Sequence, residues 1–66
     1  MKKRQQDIYK FIEEYISEQH YSPTVREIAK AVGLSSTATV HGHLKRMRRK
    51  GYIDFIDSRP RTIQII

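Results

Sequence analysis

Three breaks, at Pro23, Gly33 and Gly51, cut this 66-residue chain into segments that leave little choice of architecture. Proline cannot continue a helix and pushes the residue before it toward extended backbone, so His20-Tyr21-Ser22-Pro23 closes the first segment. Glycine readily takes the left-handed conformation that ends helices, which sets stops at Gly33 and Gly51. Ahead of the proline, Ile8, Phe11, Ile12, Tyr15 and Ile16 recur at helical spacing. They predict a first helix over about residues 3–19 with a single apolar core stripe, and Lys10, Glu13, Glu14 and Glu18 fall on its wet side.

The second helix is predicted over 24–32. It opens on Thr24-Val25-Arg26-Glu27, a capping box in which the Thr24 hydroxyl and the Glu27 carboxylate each accept from the other's amide. Ile28, Ala29 and Val32 form its buried face, and Leu34 pins the following turn into the core. A third helix is predicted over 36–50, capped by Ser35 or Ser36, with Val40, Leu44 and Met47 as its inward line. Tyr52 to Ile56 then reads as a strand, Asp57 to Arg61 as a turn-rich loop, and Thr62 to Ile66 as a returning strand. The fold class is therefore mainly α with a small β-hairpin. It is a three-helix winged helix-turn-helix filling residues 1–66 as one domain, its wing hairpin at about 52–66. Close packing of the helix pair calls for a small residue at Ala29 and a glycine at the turn, Gly33. Val40 and Leu44 follow Ala29 by eleven and fifteen positions, so the turn is expected to be longer than the commonest type.

A chain this short hides only about 60% of its unfolded surface, which leaves no interior for a buried catalytic site. It has no cysteine, so disulfides and thiolate metal sites are excluded. No stretch approaches the ~20 apolar residues of a membrane span, and the basic start is followed by polar and acidic residues, unlike a signal peptide. The expectation is a soluble, cytoplasmic protein that does not engage membrane. Charge is unevenly spread. Residues 1–34 hold six Lys/Arg against five Asp/Glu, whereas residues 35–66 hold seven against two. A surplus gathered in one half is the footprint expected for a polyanion partner, although a merely solvated basic face would look the same.

The third helix sharpens the choice. At about 100° per residue from Val40, the residues Ala38, Gly42, Lys45 and Arg49 point away from the core, flanked by Thr39 and Arg46 on one side and His41 on the other. Small residues thus occupy the first half of the outer face and cations the second. That order suits a helix entering the major groove N-terminus first, its small side chains near the bases and its cations on phosphates. Gly42 is notable because a mid-helix glycine costs about 0.5–1 kcal/mol relative to alanine. Close approach of another molecule accounts for it; otherwise it is neutral drift.

His41 and His43 invite a metal reading, but two positions apart on a helix they diverge by about 200° and cannot share one ion. His43 is expected to be a packed or capping residue. The serines have no paired base and the acids are scattered, so no catalytic residue, metal or cofactor is assigned. Arg59 and Arg61 flank Pro60 in the wing loop, where two guanidinium groups could bond phosphates or enter a minor groove. A plain soluble turn is the alternative.

At these residues the sequence resembles a known family. Arg4-Gln5-Gln6-Asp7-Ile8, Ser22 to Ile28, Ala31-Val32-Gly33-Leu34, Thr39 to Leu44 and Arg59-Pro60-Arg61-Thr62-Ile63 are similar to the N-terminal domain of LexA repressors, in the form found in Gram-positive bacteria. The similarity runs through essentially the whole chain in one register, departing at Met47-Arg48-Arg49 and Asp54-Phe55-Ile56. It implies a sequence-specific repressor domain of the DNA-damage (SOS) regulon that pairs as a homodimer on inverted-repeat double-stranded DNA. By position, it implies base contacts from Ser36, Ala38, Thr39, His41 and Gly42. Backbone contacts are expected from Lys45, Arg46, Arg49, Arg59 and Arg61. Full-length members also carry a domain that dimerises and, stimulated by the RecA filament, cuts its own chain with a Ser/Lys pair. That domain is expected to be absent here, so the chain is not expected to be an enzyme. Two rival readings are a stand-alone phage or plasmid regulator on the same module, and a winged-helix protein-interaction module.

Overall fold

A computed structural model describes all 66 residues. Its element order is α1 (Lys3–Gln19), α2 (Val25–Val32), α3 (Thr37–Arg49), β1 (Ile53–Asp54) and β2 (Gln64–Ile65). The three helices and the antiparallel hairpin make the expected winged helix-turn-helix, within 24 × 23 × 23 Å.

Local chemistry sets the helix ends. The capping box is complete: Thr24 Oγ1 accepts from the Glu27 amide at 3.1 Å and Glu27 Oε1 accepts from the Thr24 amide at 2.8 Å. Gly33, at φ 75°, ends α2 in the left-handed conformation, and the Leu34 amide donates to the Ala29 carbonyl at 2.9 Å. Ser36 caps α3, its hydroxyl accepting from the Thr39 amide at 3.4 Å. α1 stops after Gln19, as predicted, but by a different cause: His20, left-handed at φ 65°, closes it three residues before the proline assigned that role. The His20 amide donates to the Ile16 carbonyl, so a local αL cap closes the helix before Pro23 can act.

The core is one cluster: Ile8 and Ile12 of α1, Ile28 and Ala29 of α2, Val40, Leu44 and Met47 of α3, and Ile53 and Ile63 from the hairpin. Phe11, Ile16, Val32 and Leu34, expected inside, are half-buried against it. A domain this small has too little interior to close over the ends of its apolar stripes. Gln5, which no apolar pattern marks, is buried on the α1 side.

The hairpin is shorter than predicted. Ile53 pairs with Ile65 and Asp54 with Gln64, and the ladder stops there. Side chains take the next amides instead: Asp54 Oδ1 accepts from Phe55 at 2.8 Å and Thr62 Oγ1 from Ile56 at 3.0 Å. Such local bonds compete with strand pairing, so the outer wing is a loop braced by side chains.

Candidate nucleic-acid interface

The second helix packs against the third, and one face of α3 is left outward. Ser36, Ala38, Thr39, Lys45, Arg46 and Arg49 are exposed on it, and Gly42 and His41 are half-exposed. The small-then-cationic order read from the sequence is therefore present on a real surface. A β-carbon on Gly42 would meet only the Arg46 guanidinium, at 3.8 Å, so nothing inside the protein requires glycine there. Three basic residues in the last turn of α3, Arg46, Arg48 and Arg49, also suit the negative end of the helix dipole.

The chain has three ion pairs: Lys3 with Asp7, Arg48 with Asp57, and Arg61 with Glu27. Lys45, Arg46, Arg49 and Arg59 belong to none of them, so their charges face solvent unneutralised.

A groove of about 760 Å³ opens between α3 and the wing. Ala38, His41, Gly42 and Lys45 line one wall, Phe55, Ile56, Arg59 and Pro60 the other, and Thr24 to Arg26 at the start of α2 border it. The wing is held to α3 through Phe55. The His41 ring meets the Phe55 ring edge-on at 5.8 Å between centroids, and the Arg48 guanidinium lies 4.1 Å from the Phe55 centroid. Arg48 Nη1 also donates to the Phe55 carbonyl at 3.1 Å and to Asp57 at 3.4 Å. Sequence reasoning missed this strut. Its signal was available: His41 and Arg48 are seven residues apart, two helical turns, and so share one flank of α3.

Arg61 is not where the sequence placed it. It was expected at the wing tip beside Arg59, but its guanidinium folds back onto the helices. Nη1 donates to Tyr15 Oη, the Ser22 carbonyl and Glu27 Oε1 at 3.2, 3.1 and 3.1 Å, and Nη2 to Glu27 Oε2 at 3.2 Å. The reason is complementarity: two carboxylate oxygens match the planar fork. Bonds from the Thr24 amide and then from Arg61 hold the Glu27 carboxyl below the usual carboxylate range, so both partners stay charged at neutral pH.

The two histidines also part company. His43 faces α1, its Nδ1 3.4 Å from Gln5 Nε2. Burial, followed by the charges of Arg46, Arg4 and Lys2, pushes its imidazole below the ordinary value.

Three helices, an antiparallel wing, and between them an exposed helix face with unpaired cations define a winged helix-turn-helix of the nucleic-acid-binding kind. Residues 1–62 match the LexA DNA binding domain family, and the chain belongs to that family. The LexA repressor of Listeria welshimeri serovar 6b is 55% identical over 64 residues, covering 97% of this chain and 31% of the relative. The LexA repressor of Caldicellulosiruptor saccharolyticus is 53% identical over 64 residues, 97% of this chain and 32% of the relative. That of Bacillus mycoides is 55% identical over the same coverage as the Listeria protein. The chain thus spans about a third of the length of these relatives.

Proposed function

We propose that these residues form the sequence-specific, duplex-DNA-binding part of a LexA-type transcriptional repressor of the DNA-damage response. One observation carries the reading: the outer face of α3 displays the small residues Ala38, Thr39 and Gly42 and then the cations Lys45, Arg46 and Arg49, none of them in the core or in an ion pair. An α-helix of this width fits the major groove, which is about 12 Å across. With the N-terminal half inserted, Ser36, Ala38, Thr39, His41 and Gly42 meet base edges. Lys45, Arg46 and Arg49 follow at the groove's lip and meet phosphates, while Arg59 reaches the flanking backbone from the wing. Two copies would occupy the two halves of an inverted repeat. No residue of this surface has a catalytic role in the reading.

Selection of bound sequences from a random duplex pool tests it directly. The expected product is one inverted-repeat consensus. Affinity for it should fall with salt by roughly 0.9 in log–log slope per phosphate neutralised. Equal binding to all duplexes, or indifference to salt, would remove the assignment.

A further inference from the structure

Arg61 combines two features that a surface phosphate contact does not need. Its backbone is left-handed, at φ 57°, a conformation rare for a side-chain-bearing residue and retained only where surroundings enforce it. Its guanidinium is also engaged within the protein: the four bonds described above reach α1, the α1–α2 connection and α2, and the Tyr21 ring lies 5.0 Å away. The wing therefore has two anchors. Phe55, held between His41 and Arg48, fixes the outgoing strand to α3. Arg61, just ahead of β2, ties the returning segment to α1, the α1–α2 connection and α2. Arg59 sits between them at the tip, where its charge is unpaired.

We propose that Arg61 is a positioning residue: its clasp on Glu27 sets the angle of the wing and so the place at which Arg59 meets the DNA backbone, while Arg61 itself neutralises no phosphate. This rests on the DNA-binding reading. The Arg61–Glu27 pair is part-exposed, with side chains 40% and 38% accessible, and such pairs add little to global stability. Losing the clasp should therefore free the wing while the helices stay folded.

The decisive comparison is between charge and fork geometry. Arg61→Lys keeps the charge but cannot make the two parallel bonds, and should weaken operator binding about tenfold. Glu27→Gln removes a negative charge and retains a residue suited to the capping box, yet should also weaken binding. In an Arg61→Lys background, Arg59→Ala should no longer alter the salt slope that it flattens in the parent chain. Binding by Arg61→Lys as tight as the parent's, or tighter binding by Glu27→Gln, as a direct phosphate contact by Arg61 would give, overturns the proposal. Hydrogen exchange decides independently of DNA. The Ile56 and Arg59 amides, bonded to Thr62 Oγ1 and the Ile56 carbonyl, should exchange faster in Arg61→Lys while α1 core amides do not change. Unchanged wing exchange would overturn the clasp. Failure of the parent chain to prefer any duplex would instead sink the DNA reading, and the exchange result would still stand.

Discussion

With only the Arg46 side chain near it, Gly42 sits in a helix that would accept alanine. Gly42→Ala should therefore raise stability by about 0.5–1 kcal/mol, read as a higher thermal midpoint. The same methyl group would stand on the face proposed to meet the bases, so operator affinity should fall. A variant both more stable and equally tight would show that close approach is not why glycine is there. On the inner flank, His43 carries a pH prediction. The unfolded chain protonates near the ordinary value of about 6.5, but the folded imidazole resists until lower pH. The folded state then binds fewer protons in that window, so this contribution to stability is complete above about 6.5 and is lost as pH falls toward the folded value. The thermal midpoint should drop as pH falls below about 6.5, and His43→Gln should remove that part of the drop. An identical pH profile in the variant would refute it.

Within α3, the two halves are expected to respond differently to substitution. Lys45→Ala and Arg49→Ala should weaken binding to all sequences alike and flatten the salt slope by roughly 0.9 each. Thr39→Ala should instead change discrimination between sites by about 1–3 kcal/mol per affected base pair. Ser36 and His41 are poorer probes of base reading. Ser36 also caps the helix, a role whose loss costs about 1 kcal/mol, and His41 also packs on the wing's Phe55. A change of sequence preference from Lys45→Ala with an intact salt slope would reverse the assignment of the two halves. The wing completes the surface, joined by a two-residue ladder and by side-chain bonds at Phe55, Thr62 and Arg61.

For the molecule as a whole, the buried apolar residues form one cluster, and the formal net charge of +6 opposes association of identical copies. The exposed large apolar residues are Met1, Tyr21, Ile56 and Ile66; Tyr21 lies beside Arg61, and Ile56 lines the groove. These 66 residues should sediment as a monomer at micromolar concentration, and two should bind each inverted repeat. A single reading module buries about 600–1,000 Å² on DNA, so one half-site alone should bind weakly. Tethering two copies should raise affinity much further through effective concentration. A dimer without DNA, or saturation at one chain per repeat, would contradict this stoichiometry.

The features legible in the sequence are those whose partners lie within a turn or two of chain. The Thr24–Glu27 box, the Gly33 stop and the Ser36 cap each span a few residues. The apolar stripes follow from helical periodicity, and with them the outward face of α3 from Ala38 to Arg49. The αL close at His20 was hidden because histidine takes that conformation without announcing it. Gln5 against His43, Arg48 beneath Phe55 and Ser22 receiving the Ile63 amide join elements distant in sequence or across a turn. Arg59 and Arg61 show the limit most clearly. They flank one proline and look equivalent in the chain, yet one guanidinium faces solvent and the other is clasped by partners 34 to 46 residues earlier. The packing of α1 against α2 brings together the carboxylate, hydroxyl and carbonyl that receive Arg61, so its placement was decided only when those helices came together.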